Sequence, residues 1–429
     1  MKLLSHSGCG SGPHALARGS SLIGAAILPF IFFGQLASQP GAAVMETLRE
    51  RALDNLRALP NYTCTSTIER SSRRSLSHRF ENIDRIRLEI AYVGGRELFG
   101  WPAGERIADE DLRRFVGGTI TNGDFALLTR ALFAGPGISF RNINRKDSSG
   151  RQVLSGEFTA TREGSDWTLV VGQREEPVAY YGSFRADPES LRLISLAMMA
   201  EHIPREFGYR RITRDLEFQP ARIGSDEFLL PSRAELVTLD KNGEETRNET
   251  SFANCRQFTA ESAVRFEAPE EETTERVANE VSGGLPDAFE ASCELESQVD
   301  SDVSAIGDPI TARLSRSIAG KGGLEIPKGA ILHGRIRQLN VVDGRRRSAD
   351  FAFGFFEWNG KRVEIGSRSN QLIVMEQHIT GMQNSGTLPM SPMSPAVATV
   401  STHEIRADGR HLVIPHGFQF RLESKANSQ

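Results

Sequence analysis

The stretch RIRLEIAYVGGRELFGW, Arg85 to Trp101, constrains the fold most. Ile86, Leu88, Ile90 and Tyr92 fall on one side of an alternating pattern, with Arg85, Arg87 and Glu89 on the other. Period-two alternation puts one residue set on each face of a strand. Gly94-Gly95 then turns the chain into a partner strand, as two-residue hairpins commonly do. The same rhythm recurs beyond Gly150 in QVLSGEFTAT, SDWTLVVGQ, VAYYGSFRA, LRLISLAMM, ITRDLEFQPARIG, EFLLPSRAELVTLD and ETRNETSFANCRQF. Turn residues separate them, among them Arg162 to Ser165, Asp187-Pro188 and Asn242-Gly243. Asp187-Pro188-Glu189 has a second reading, a helix start with Asp as N-cap and Pro at the first position. A helix there interrupts a run of hairpins, so the hairpin turn is expected.

Two helices are expected beside these strands. In Val44 to Leu59, Leu48, Ala52, Leu56 and Leu59 recur at helical spacing, and Pro60 ends the run. Asp124 to Phe133 (DFALLTRALF) is a shorter candidate. The spacing predicts a mainly β (α+β) protein with a curved antiparallel half-barrel and helices over residues 44–266. Residues 267–291 are acidic, carry a Gly pair and read as a linker. Residues 292–423 hold a second set of strand-like runs (CELESQVDS, PITARLSRSI, AILHGRIRQLN, DFAFGFFEW, KRVEIGSRS, HLVIPHGFQFRLES), which predict a small β-barrel. Thr380 to Val397, rich in Met, Pro, Ser and Gly, is expected to be a loop.

The first residues point to export. Lys2 and Arg18 are basic, no acidic residue precedes Glu46, and Ser21 to Ala37 is almost purely apolar. Residues 1–43 therefore read as a signal peptide, with retention as an N-terminal anchor the alternative. A periplasmic or outer-membrane-associated protein is expected. That compartment is oxidising, so Cys64 and Cys255, in similar polar, β-prone surroundings, are expected to form a disulfide. Two unpaired buried cysteines are the alternative. Cys293 is left over. With 25% charged residues and a net charge of only -4 over 429 residues, the chain is globular and nucleic acid is not an expected partner.

No catalytic signature occurs: there is no nucleophile elbow, HExxH, phosphate loop or dinucleotide fingerprint, so neither enzyme activity nor a cofactor is expected. His403, His411 and His416, with Glu404, read as scattered surface and turn residues rather than a metal site. Asp240, Asn242 and Glu244 fall short of a calcium loop. Arg345-Arg346-Arg347 reads as an exposed hairpin tip, with binding of an anionic lipid headgroup the sharper alternative. The candidate ligand-binding residues are apolar: Ile86, Leu88, Ile90, Trp167, Leu169, Tyr180, Phe184, Leu193, Phe218 and Leu229. They face inward and either form a filled core or line a cavity.

The order of NYTCTSTIE, YYGSFRADPESLRLISL and ITRDLEFQPARIGSDEFLLPSRAEL resembles the half-barrel of periplasmic lipoprotein carriers (Lol-type) and related envelope sensors. Gly182, Phe184, Asp187, Pro188, Ile223, Gly224, Leu229, Leu230 and Pro231 carry the likeness over Val44 to Phe266. It implies binding of acyl chains or acylated proteins in the apolar concavity, without catalysis. VDSDVSAIGDPITARLSRSI followed by LEIPKGAILHGRI resembles the TrbI-type barrel of conjugation and secretion pore proteins, over Ser292 to Glu423. Ser301, Asp302, Gly307, Ala312, Pro327, Lys328, Gly329 and Gly334 carry that likeness. The membrane-spanning part expected of such pore proteins is not found, so no secretion role is expected. The combined expectation is an exported envelope protein that holds a hydrophobic ligand and docks other envelope proteins, with a non-catalytic scaffold of filled cores as the alternative.

Overall fold

The computed structural model describes residues 40–104, 123–258, 279–280, 284–365, 370–374, 400–401 and 404–424, apart from 149, 173, 287, 343–345 and 410. The expected signal run, most of the acidic linker, Thr380 to Val397, His403 and Arg345 lie outside the described residues. From Pro40 on the chain forms one compact unit. It is mainly β, as the alternation predicts.

The first sheet is built from β1 (Tyr62–Arg73), β2 (Glu81–Val93), β3 (Arg96–Gly100), β4 (Ile138–Ser148), β5 (Arg151–Ala160), β8 (Ala179–Ala186), β9 (Leu193–Glu201), β10 (Tyr209–Ile223), β11 (Asp226–Asp240) and β12 (Glu245–Gln257). A separate hairpin, β6 (Thr168–Val171) and β7 (Arg174–Pro177), interrupts the meander. The order is β3-β2-β1-β12-β11-β10-β9-β8-β5-β4, antiparallel throughout, so the first strand of the chain lies beside the last of this sheet. It makes a half-barrel. Helices α1 (Pro40–Ala58) and α2 (Leu127–Ala134) occupy its inner side, and Met45, Leu48, Leu128, Leu132 and Phe133 are buried there. Arg49 Nε donates to Phe133 O at 2.6 Å, satisfying a carbonyl that the end of α2 leaves without a helical partner.

Cys64 and Cys255 form a disulfide across the β1–β12 pair, with Cα atoms 4.1 Å apart and 191 residues between them in sequence. The register shifts there, because β12 carries an extra residue between the partners of Thr63 and Thr65. Asn254, with φ +54°, takes up the bulge. The Asp187 turn joins β8 to β9 as a hairpin, and it retains a feature of the rival reading. Asp187 Oδ1 accepts from the amides of Glu189 (3.1 Å) and Ser190 (2.7 Å), and Leu191 N donates to Asp187 O at 3.0 Å. The hairpin tip is thus one helical turn capped by Asp187. The Ser190 amide, then its hydroxyl, hold the Asp187 carboxyl below its ordinary value.

The second part of the chain supplies β13 (Asn279–Glu280), β14 (Phe289–Leu295), β15 (Val299–Asp300), β16 (Pro309–Leu314), β17 (Ile318–Ala319), β18 (Glu325–Ile326), β19 (Ile331–Val342) and β20 (Arg346–Trp358). There follow β21 (Lys361–Glu364), β22 (Asn370–Val374), β23 (Val400–Ser401), β24 (Glu404–Asp408), β25 (Val413–Ile414) and β26 (Gln419–Ser424). The main sheet runs β13-β21-β20-β19-β16-β14-β26-β22, with β24 added to β20. It curls until β22 lies close to β20, although no pairing joins those two among the described residues.

The two sheets meet at β2. Strand β3 pairs only with Glu89 to Val93, which leaves the first half of that β2 edge open. Ile306, between β15 and β16, fills it as a parallel bridge to Ile86: Arg87 N donates to Ile306 O and Ile306 N to Arg85 O, both at 2.8 Å. Arg87 Nη1 reaches the two carboxylate oxygens of Asp308 at 2.5 and 2.6 Å, and Arg335 lies over the Trp101 ring at 5.1 Å. Ile86, Leu88 and Ile90 consequently share one buried cluster with Ile310, Ile336 and Phe351 of the second sheet.

Two outcomes follow. Gly307 has φ +99°, and a Cβ there would stand 2.3 Å from Arg87 O. Gly307→Ala is therefore expected to cost about 1–3 kcal/mol of stability in urea unfolding; an unchanged midpoint would contradict the seam. Removal of the disulfide by Cys64→Ala with Cys255→Ala is expected to cost about 2–5 kcal/mol, measured the same way against the oxidised parent.

Candidate functional site

A cavity of about 250 Å³ lies under the second half of α1. Ala52, Leu56 and Leu59 form its roof, Phe218, Leu229 and Leu230 its floor, and Phe125 one wall. The sheet itself makes room for it. Strand β12 pairs with β11 only along Arg233 to Leu239, whereas Asp226 to Pro231 of β11 pair with β10 alone. Asn55 closes part of that gap: its Nδ2 donates to Leu229 O at 2.9 Å and its Oδ1 accepts from Leu229 N at 3.0 Å. Arg51 Nη1 donates to Ser190 O at the Asp187 hairpin tip, and Arg192 pairs with Glu227 at 3.0 Å on the rim. Asp54, Thr129 and Ser190 also line the cavity, so the hollow is of mixed polarity, which suits an amphiphile.

The sequence candidates divide three ways. Leu193, Phe218 and Leu229 line this cavity. Trp167, Leu169, Tyr180 and Phe184 are buried in the core beneath α1 and α2, with Trp167 and Tyr180 ring centroids 5.7 Å apart. Ile86, Leu88 and Ile90 belong to the other buried cluster, and Leu88 and Ile90 line a small hollow beside Phe99 and Phe125. Alternation identified the inward face of each strand, but it carries no information on what covers that face. The α1 residues Ala52, Asn55, Leu56 and Leu59 and the wall residue Phe125 were not among the candidates. The apolar helical spacing was the signal for three of them; Asn55 has none, because its partner lies 174 residues away.

A second hollow of about 20 Å³, room for about one water, is lined by both apolar and polar residues, among them Ile68, Leu88, Ile90 and Phe99. Glu97 and Asp124 border it, with Ser66, Asn248 and Thr250. Glu97 accepts the amides of Gly123 (2.9 Å), Ala126 (2.7 Å) and Leu127 (3.0 Å), which fixes the start of α2. Asp124 forms a buried ion pair with Arg214. Tyr62 is fully buried alongside, and its hydroxyl has no hydrogen-bond partner among the described residues.

Other sequence candidates take definite places. Asp240 Oδ1 accepts the amides of Asn242 and Glu244, both at 2.8 Å, so this carboxylate closes its own turn. His416 is exposed, and His411 contacts Asp300 and Asp302. Arg347 departs from the expected exposed tip: it is half-buried on β20 and borders a third cavity. Cys293 is buried and unpaired, and burial pushes its thiol up to about 12. No helix of the described residues is long and apolar enough to cross a membrane.

Burial pushes the Glu97 carboxyl up from its ordinary value, against the three amides that hold it down. A carboxyl raised in the folded state contributes stability that is complete below the ordinary Glu range and is lost as pH rises through the raised value. The stability of the parent relative to Glu97→Gln is thus expected to decline as pH rises above the ordinary Glu range, measured by urea unfolding at a series of pH values. A constant difference would show that Glu97 does not titrate with folding.

No family model matches the chain, and no curated protein matches it. Among solved structures it is similar to the crystal structure of a DUF1329 family protein from Desulfovibrio piger ATCC 29098, at 12% identity and a TM-score of 0.30, covering 52% of this chain and 96% of that one.

Proposed function

We propose that this is an exported envelope protein that binds a hydrophobic ligand, a lipid tail or the acyl group of an acylated protein, in the half-barrel cavity beneath α1. The second sheet is proposed to dock other envelope proteins. The observation that carries the reading is the hollow of about 250 Å³ roofed by Ala52, Leu56 and Leu59. A disulfide and the signal-like leader support an oxidising, exported setting.

Size limits the ligand. An apolar cavity of about 150 Å³ holds one benzene ring, so this hollow takes a short apolar segment and not a whole lipid. A longer chain requires α1 to lift, and the side-chain and main-chain contacts of Arg51 and Asn55 with the sheet oppose that. The rival reading, a scaffold without ligand, draws on the packed aromatic core of Phe158, Trp167, Tyr180 and Phe184.

Ala52 borders the hollow and its side chain is small. A fluorescent fatty-acid probe is expected to bind the parent saturably, and Ala52→Phe to weaken it about tenfold or more by filling the site, a loss of about 1.4 kcal/mol or more. Absence of saturable binding in the parent would support the scaffold; equal binding by the filled variant would place the ligand elsewhere.

A further inference from the structure

Asp300, Asp302 and His411 converge on the second sheet, away from the half-barrel cavity. Asp300 pairs with Val413 where β15 meets β25, and His411 lies two residues before β25. His411 Nε2 stands 2.7 Å from Asp300 Oδ1 and 3.7 Å from Asp302 Oδ2. One ligand atom from each of the three residues falls within 4.8 Å of the other two.

Main-chain and side-chain hydrogen bonds other than those of His411 hold this arrangement. Ser301 N donates to Leu412 O at 2.9 Å, and Leu412 N donates to Ser301 Oγ at 3.0 Å. Asp302 N donates to Asp300 Oδ1 at 2.8 Å. The two segments are joined without the His–Asp contact, and Asp302 sets a second carboxylate near His411, within electrostatic reach of Arg347. Two carboxylates so close repel each other unless a positive charge lies between them.

A second observation concerns the space beside them. Asp302 also borders a polar cavity of about 130 Å³ between the two sheets, together with Asn82, Ser301, Ser304, Arg85 and Arg347. Three protein ligands leave a metal ion with open coordination positions, and this cavity has room for what fills them. Its two arginines suit water or a small anion there. An imidazole nitrogen with two carboxylate oxygens is a donor set for first-row divalent ions such as zinc. We propose that Asp300, Asp302 and His411 bind one such divalent cation, with its open positions facing the cavity at the seam.

The test is calorimetric titration of zinc chloride into the untagged full chain after treatment with a chelator. One equivalent of zinc is expected to bind, with affinity lower by about tenfold or more in His411→Ala and in Asp302→Asn. His416→Ala, at an exposed position, is expected to bind as the parent does. The Asp302 side chain is 61% exposed, so Asp302→Asn keeps the fold, which far-ultraviolet circular dichroism checks. Zinc is also expected to raise the melting temperature of the parent but not of Asp302→Asn. Absence of stoichiometric binding, or binding unchanged in both ligand variants, overturns the site.

Discussion

The main-chain bridge between Ile86 and Ile306 is the contact on which the rest of the molecule depends. A strand edge that is half paired exposes amides and carbonyls that need partners. Strand β3 is too short to cover β2, and the second sheet covers the remainder with Ile306. Gly307 follows because the chain must then turn past Arg87 O with no room for a Cβ, and Asp308 follows with a carboxylate against Arg87. One of these residues, Gly307, belongs to the motif that resembles a TrbI-type barrel. Here Gly307 serves the joint between sheets.

From that joint comes the division of the interior. Ile86, Leu88 and Ile90 belong to a buried cluster that also holds residues of the second sheet, whereas α2 and the aromatic residues of β5, β8 and β10 pack in the other cluster. Helix α1 spans both regions: Leu48 is buried toward the half-barrel core, and Leu56 and Leu59 pack against the shared cluster. The hollow lies where α1 crosses the place at which β11 and β12 separate, since the helix covers that gap without filling it.

Much of the local structure was legible in the sequence because it is set by neighbours. Gly94-Gly95, the Asp187 turn and the strand alternation each need only a few adjacent residues, and each appears where expected. The Cys64–Cys255 pairing was legible from matching β-prone surroundings. What was not legible depends on distance. Alternation gives Ile86 and Phe184 the same signature, yet they belong to different buried clusters, the first shared with the second sheet and the second with the helices. Asn55 with Leu229 and His411 with Asp300 join segments more than a hundred residues apart, and no local pattern marks either pair. Arg347 reads as a hairpin tip by its arginine neighbours, but pairing of β20 with β24 draws it toward the seam.

Amide hydrogen exchange at Arg87 and Ile306 tests most directly whether the two sheets fold as one body. Both amides are expected to exchange as slowly as central β1 amides such as Ile68, whose strand is paired on both sides, because opening the bridge exposes the shared core. Exchange of Arg87 and Ile306 at the rate of an exposed loop, while Ile68 stays protected, would contradict a joint core and make the two sheets independent units.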